Sequence, residues 1–120
     1  LTTTGRKSGL PRVTPLQYEC LDGVYHVASV FGTKADWVRN LLADPSVQVQ
    51  VGNRQFTGSA EVITDPDTIA DFIQYRHDQH PRLIGAIMRL DGLAASPSRE
   101  DLRDYARSLA LVRITPDDLN

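Results

Sequence analysis

Two short turn sequences, Asp22-Gly23 and Gly52-Asn53, constrain the fold of this chain more than any other feature. Each pair favours the positive backbone φ angles of a tight two-residue turn, and each lies between stretches of alternating or apolar residues typical of β-strands. A tight turn of this kind joins strands that pair antiparallel. We therefore predict four strands, paired as two hairpins, at residues 15–20, 24–30, 47–51 and 56–62.

The residues between the two hairpins predict a short helix. Thr33 and Asp36 are spaced as an N-terminal capping pair, and apolar residues then fall on one helical face until Pro45 ends the pattern. We expect this helix at about residues 34–43. Its core-facing residues should be Val38, Leu41 and Leu42.

Apolar residues recur at helical spacing in the second half of the chain. Thr64 or Asp65 caps a helix that has Pro66 in its first turn, and Pro81 interrupts the pattern. A further apolar segment covers residues 83–90. The last predicted elements are a helix capped by Ser98 and Asp101, which carries Leu102, Tyr105, Ala106 and Leu109, and a strand at residues 111–114.

At 120 residues, with 41% hydrophobic and 23% charged residues, the chain has the composition of one globular domain. Five or six antiparallel strands with inserted helices predict an α+β domain built around a small β-barrel, and we assign residues 1–120 to it. The lone Cys20 cannot form an internal disulfide and lies in an alternating stretch. We therefore expect Cys20 to be a buried strand residue without chemistry.

Charge is unevenly distributed along the chain. Residues 1–40 carry five basic and three acidic residues, whereas the remaining residues carry eight basic and twelve acidic ones. This pattern indicates one local anion site and argues against general nucleic-acid binding. No apolar run approaches the roughly 18 residues of a membrane span, so we expect a cytoplasmic protein. Because the only methionine is Met88, we expect native residues to precede Leu1, and peripheral membrane association through them stays open.

The segment at residues 5–12, GRKSGLPR, is the strongest candidate for that anion site. Two glycines bracket Arg6, Lys7 and Ser8, and Arg12 follows. Glycine lets backbone amides approach an anion, while lysine and arginine supply positive charge and hydrogen-bond donors. The segment is not a nucleotide P-loop, because Lys7 follows Arg6 rather than a glycine and no helix begins there. Composition alone leaves a phosphate site and a solvated basic turn equally open.

Four sequence blocks follow one another in the first half of the chain. They are TTTGRKSG-x-PR-x-x-PL at residues 2–16, VAS at 27–29, W-x-x-N-L-x-A-x-P at 37–45 and V-x-V-Q-V at 47–51. Taken together, they resemble the deazaflavin-dependent nitroreductase family of split-barrel oxidoreductases, which use coenzyme F420. The resemblance implies a small antiparallel split β-barrel similar to that of FMN-binding proteins. It also implies hydride transfer from reduced coenzyme F420 to a small electron acceptor, and we expect that acceptor to be a quinone.

The resemblance further implies roles for individual residues. Arg6, Lys7, Ser8 and Arg12 would hold the anionic, phosphate-bearing tail of the cofactor. The other residues that would line the cofactor site are Val13, Thr14, Pro15, Leu16, Ala28, Ser29, Lys34, Asp36, Trp37, Val38, Arg39 and Asn40. Ser29 would approach the deazaflavin ring and is the first of two predicted catalytic residues.

His80-Pro81 stands where nitroimidazole-reducing members have a tyrosine-proline pair that borders the substrate pocket. His80 is the second predicted catalytic residue, since a pocket histidine could protonate a reduced substrate near neutral pH. The change leaves the acceptor open between a quinone and a nitro compound. We expect no metal site, because His77 and His80 alone do not make one and the dipole of a helix C-terminus explains a histidine there.

Two alternatives to this function stay open. The same basic turn could accept the single phosphate of FMN in a split-barrel flavoprotein. The groove could instead belong to a non-catalytic deazaflavin carrier whose substrate side is closed. Barrels of this kind often pair through exposed strands, so a homodimer stays open as well.

Overall fold

The structure, a computed structural model, describes residues 1–90, 92 and 97–119. Within these residues the strands are β1 (Thr2–Thr4), β2 (Pro11–Val13), β3 (Glu19–Leu21), β4 (Val24–Ser29), β5 (Ser46–Val51), β6 (Arg54–Ile63) and β7 (Ala110–Pro116). The helices are α1 (Asp36–Ala43), α2 (Pro66–Gln79), α3 (Pro81–Leu90) and α4 (Arg99–Ala106). Short 3-10 turns lie at Gly32–Lys34 and Asp117–Leu119.

The described strands form one antiparallel sheet in the order β2-β1-β5-β6-β7-β4-β3. Both predicted hairpins are present, as the pairs β3–β4 and β5–β6. Asp22, Gly23 and Gly52 have positive φ angles, as tight hairpin turns require. The α+β class is therefore confirmed. In the described part of the chain no ladder joins the edge strands β2 and β3, so the sheet is open.

The two faces of the sheet bury two separate apolar clusters because side chains alternate along each strand. On β7, Val112 and Ile114 face a cluster that includes Val38 and Leu41 of α1. Leu111 faces the opposite cluster. That second cluster joins the sheet to α2, α3 and α4 through Ile69, Phe72, Ile73, Ile84, Met88, Leu102 and Ala106. The helices of the second half thus form a layer on one face of the sheet.

The first predicted strand is much shorter than expected. Pairing in β3 begins at Glu19, and residues 14–18 lack strand structure. Pro15 has no amide hydrogen to donate to a sheet ladder, which limits pairing of this segment. The prediction that Cys20 is buried is wrong, since Cys20 is exposed. Cys20 lies on β3, the last strand of the sheet, and pairs with Tyr25 of β4. At such an edge, alternation no longer implies burial.

The predicted cap of the first helix is also wrong. Thr33 belongs to the preceding 3-10 turn, and Ala35 is the N-cap of α1 without a side-chain capping bond. Asp36 is the first residue of the helix instead. Leu42, expected to face the core, is 60% exposed, whereas Val38 and Leu41 are buried.

The helices of the second half begin close to where the sequence predicts. Asp65 caps α2, and its carboxylate accepts a hydrogen bond from the Thr68 amide at 3.0 Å. Ser98 and Asp101 form the expected capping box of α4. This helix ends at Ala106, so Leu109 lies beyond it, although it is buried. None of the described helices is long and apolar enough to cross a membrane.

We predict that the stability of the fold decreases in mild acid because of His26. Its ring stacks on Phe72 with centroids 5.7 Å apart. Burial lowers the pKa of His26, and the positive charge of Arg113 acts in the same direction. The unfolded chain therefore takes up a proton at higher pH than the folded chain. Stability that this residue contributes above about pH 6.5 is lost as the pH falls through the folded pKa.

The measurement is the free energy of unfolding in urea between pH 7.5 and pH 5.0, for the wild type and for His26→Gln. We expect the wild-type curve to fall more steeply below about pH 6.5 than the variant curve. Parallel curves over this range would contradict the assignment.

Candidate functional site

A basic pocket lies between the β1–β2 turn and the start of α1. Its volume is about 440 Å³, and the residues lining it are Gly5, Arg6, Lys7, Ser8, Arg12, Thr14, Asp36, Trp37 and Asn40. Eight of these nine are among the predicted cofactor-binding residues, Gly5 being the exception. The fold thus brings together side chains from two parts of the sequence about thirty residues apart.

The turn between β1 and β2 is closed by short backbone hydrogen bonds. The Gly5 amide donates to the Leu10 carbonyl at 2.8 Å, and the Gly9 amide donates to the Gly5 carbonyl at 2.8 Å. Glycine is needed at both ends of the turn. A Cβ at Gly5 would lie 2.9 Å from Ser8 Oγ, and Gly9 has a φ of 71°.

Arg6 anchors this turn to α1. Its Nη1 donates to Asn40 Oδ1 at 2.8 Å, and its Nη2 donates to Asp36 Oδ1 at 3.1 Å. The Arg6 backbone amide donates to the same Asn40 oxygen at 3.2 Å. Asn40 is buried and completes the connection by donating through Nδ2 to Thr3 Oγ1 at 3.3 Å. Arg6 and Asn40 therefore hold the shape of the pocket.

Lys7 and Arg12 supply the positive charge that is left for a ligand. The charge of Arg6 is paired with Asp36, whereas no carboxylate in the described part of the chain forms an ion pair with Lys7 or Arg12. Both side chains belong to exposed residues at the pocket. The backbone amides of Lys7 and Ser8 have no acceptor among the described residues, so together with these two cations they suit a phosphate-like anion.

An apolar cavity of about 260 Å³ lies between the sheet and the helical layer. The linker after β2 and the end of β4 form one side, and α2, α3 and α4 form the other. Its lining residues are Pro15, Leu16, Gln17, Val27, Ala28, Val30, Phe72, Ile73, Arg76, Ile84, Ile87, Met88, Tyr105 and Leu109. Thr14 lines the basic pocket and Pro15 lines this cavity, so consecutive residues connect the two.

Six predicted site residues lie outside both pockets, namely the five described here and His80. Val13 is 77% exposed on β2, and Arg39 is exposed on α1. Val38 is fully buried in the apolar cluster, so its side chain cannot reach a ligand. Lys34 lines a separate depression. Ser29 is buried, and its hydroxyl donates to the Gly32 carbonyl at 2.9 Å.

His80 ends α2 and contacts a carboxylate. Its Nε2 lies 2.9 Å from Glu19 Oε1, and Arg76 Nε donates to the same oxygen at 3.4 Å. His80 is about half exposed and is not among the residues lining the apolar cavity, whereas Arg76 is. Within the described residues, no group of histidine, cysteine, aspartate and glutamate side chains is arranged to hold a metal ion.

Most residues of the cavity, including Arg76, were not among the predicted site residues. The apolar residues of α2, α3 and α4 recur at helical spacing, and periodicity does not distinguish a filled core from a lined cavity. One signal was present for Arg76. It lies four residues after Phe72 and three after Ile73, so helical spacing places a charge on the apolar face of α2.

The sequence is similar to one family of reductases. The family model of the F420H(2)-dependent quinone reductases matches residues 1–85. F420H(2)-dependent quinone reductases from two strains of Mycobacterium tuberculosis are each 35% identical over 72 residues, which is 56% of this chain and 48% of each relative. The matched region thus spans about half the length of these relatives.

Two solved structures share the fold. An F420 reductase superposes with a TM-score of 0.58 at 20% identity, over 96% of this chain and 82% of its own. A conserved hypothetical protein from Mycobacterium tuberculosis superposes with a TM-score of 0.61 at 17% identity, over 97% and 70% of the two chains. Since the family model covers more than half of the sequence, the chain belongs to the F420H(2)-dependent quinone reductase family.

Proposed function

We propose that this chain binds reduced coenzyme F420 and transfers a hydride from it to a quinone. The observation that carries the proposal is the pair Lys7 and Arg12, two cations without carboxylate partners among the described residues, in a pocket adjoining an apolar cavity. A cofactor with an anionic tail and an aromatic ring needs these two environments side by side. Family membership supports the same cofactor.

The residues present fit such a cofactor. The phosphate-bearing tail would lie in the basic pocket against the side chains of Lys7 and Arg12 and the backbone amides of Lys7 and Ser8. The ring would lie along Pro15, Leu16 and Ala28, which form the strand side of the apolar cavity. When bound, the reduced deazaflavin supplies a hydride, which carries two electrons.

The protein's own contribution is to bind, orient and exclude water. Arg6 and Asn40 hold the turn in one conformation, so that the tail meets a preformed site. The apolar walls of the cavity keep water from the reacting atoms and leave an acceptor in a fixed position. This chemistry needs no nucleophilic side chain.

The remaining details of this function are also proposals. The open sheet would correspond to the split β-barrel of this enzyme class. Ser29 would orient the end of β4 beneath the ring through its bond to Gly32 rather than through a free hydroxyl. Val38 and Arg39 would contribute through the backbone and the charge of α1. The exposed edge strand β2 is the surface through which a homodimer would form.

Lys7→Ala should weaken binding of coenzyme F420 by about tenfold at low salt, since it removes a charge-assisted contact with the tail. The loss should shrink at high salt because exposed charges are then screened. Cofactor fluorescence measured at 20 and 500 mM salt would give both affinities.

Lys34→Ala is the matched comparison, because Lys34 is the only other lysine and lies in a separate depression. We expect a smaller loss of affinity for this variant. Equal affinities of the wild type and Lys7→Ala at both salt concentrations would contradict the proposed site. Tighter binding of FMN than of coenzyme F420 would favour a flavoprotein, and binding without turnover of any quinone would favour a carrier.

Asn40→Ala should lower the free energy of unfolding by about 1–3 kcal/mol, because it leaves the buried Thr3 hydroxyl and the partly buried amide and guanidinium of Arg6 without their partner. It should also weaken binding of inorganic pyrophosphate, since the turn loses its anchor to α1. Urea denaturation and calorimetric titration measure the two effects.

Asn53→Ala is the control for this prediction, since Asn53 is exposed in the β5–β6 turn. Asn53→Ala should change the free energy of unfolding and the affinity for pyrophosphate less than Asn40→Ala does. If Asn40→Ala bound pyrophosphate as tightly as the wild type, Asn40 would not position the turn.

A further inference from the structure

Arg76 is a charged residue in the wall of an otherwise mainly apolar cavity. Its side chain is 15% exposed, and its neighbours on the same face of α2 are Phe72 and Ile73. Burying a charge among such residues is costly unless the charge is paired or hydrogen-bonded. The guanidinium group at this position therefore needs a partner.

Glu19 holds the inner part of the Arg76 side chain. Glu19 Oε1 accepts from Arg76 Nε at 3.4 Å and lies 2.9 Å from His80 Nε2. The Glu19 side chain is itself 16% exposed, so the pair is only partly screened by water. The contact through Nε limits the orientation of the guanidinium plane.

The two terminal nitrogens of Arg76 remain available to a ligand. Among the described residues, no acceptor is hydrogen-bonded to Nη1 or Nη2. In the described part of the chain, every fully buried side-chain nitrogen or oxygen has a hydrogen-bond partner. Since Nη1 and Nη2 have none, they are accessible from outside the protein. Arg76 lines the cavity, so a ligand there can meet these donors.

The cavity selects a particular class of ligand. Its volume of about 260 Å³ is close to the lower end of the range for ligand sites, roughly 300–1,000 Å³. With the cofactor ring along the strand side, the cavity leaves room against its helical side for no more than one small ring system. Phe72 and Tyr105 are aromatic wall residues, and Arg76 contributes the positive charge. A planar aromatic ring carrying an oxygen with negative charge matches this combination.

We propose that the acceptor quinone binds in this cavity with one of its two carbonyl oxygens hydrogen-bonded to the terminal nitrogens of Arg76. The inference rests on the proposed function. Hydride transfer breaks a C–H bond of the donor and forms an O–H bond at the far quinone oxygen. The two transferred electrons leave the other oxygen as an oxyanion, and a proton from water then yields the hydroquinone. Arg76 stabilises that oxyanion, because its donors face the oxygen on which the charge develops.

A binding experiment tests the site without the cofactor. The probes are 4-nitrophenolate, which carries an anionic ring oxygen, and 4-nitroanisole, a neutral analogue of similar shape. We expect Arg76→Met to bind the phenolate about tenfold or more weakly than the wild type and to bind the anisole within about twofold. Arg82→Met is the control, since Arg82 is exposed and does not line the cavity.

A second measurement connects the site with turnover. With 1,4-naphthoquinone as acceptor, Arg76→Met should lower kcat by about tenfold or more and leave the Kd of coenzyme F420 unchanged. Arg76→Lys keeps the positive charge but lacks the planar guanidinium, so its kcat should lie between those of the wild type and Arg76→Met. If Arg76→Met does not fold, a comparison of Arg76→Lys with the wild type tests the role of Arg76.

The outcomes separate the two proposals. Absence of phenolate binding by the wild type, or equal phenolate binding by the wild type and the Arg76 variants, would overturn the role of Arg76. Equal kcat values in an active enzyme would overturn it too. Failure of the wild type to bind coenzyme F420 would overturn the proposed function, while phenolate binding would still decide whether Arg76 forms an oxyanion site.

Discussion

The hydrogen bonds of Arg6 to α1 are the constraint on which the rest of the site depends. The β1–β2 turn has only one short strand on each side, and a turn of this kind would move freely if nothing fixed it. Asp36 and Asn40 supply that attachment from the first two turns of a helix whose inner face is part of an apolar cluster. The position of the basic turn is therefore set by packing beneath it.

This attachment also assigns different tasks to residues that look alike in the sequence. Arg6, Lys7 and Arg12 are three cations within seven positions, yet Arg6 is neutralised by Asp36. The contacts of Arg6 fix the turn to α1, whereas Lys7 and Arg12 form no ion pair with a carboxylate among the described residues. The carboxylate of Asp36 therefore does not compete with an anionic ligand for Lys7 or Arg12, because it is paired with Arg6.

Much of the fold could be predicted from the sequence, because local signals determine it. The turns at Asp22-Gly23 and Gly52-Asn53 and the caps at Asp65 and Ser98 each act within a few residues. Errors arose where a distant contact decided the outcome. Cys20 has the alternation of a buried strand, but its position at the edge of the sheet leaves it exposed.

The two parts of the site differ in the same way. Most of the basic pocket was predicted, since one contiguous motif and one helix start supply its residues. The apolar cavity was not, because its wall is assembled from three helices whose apolar residues are indistinguishable in sequence from core. Lys34 and Val13 lie in or beside the predicted motifs but do not line the basic pocket. A residue within a motif therefore need not face the pocket.

Half of the helical side of the apolar cavity lies outside the region that matches the family, which has a consequence for diversification. The strand side and Phe72, Ile73, Arg76 and Ile84 lie within residues 1–85, while Ile87, Met88, Tyr105 and Leu109 lie after them. Substitutions in that later segment can reshape one wall without altering a single residue of the basic pocket. If the proposed function holds, such substitutions would change the acceptor while the electron donor stayed the same.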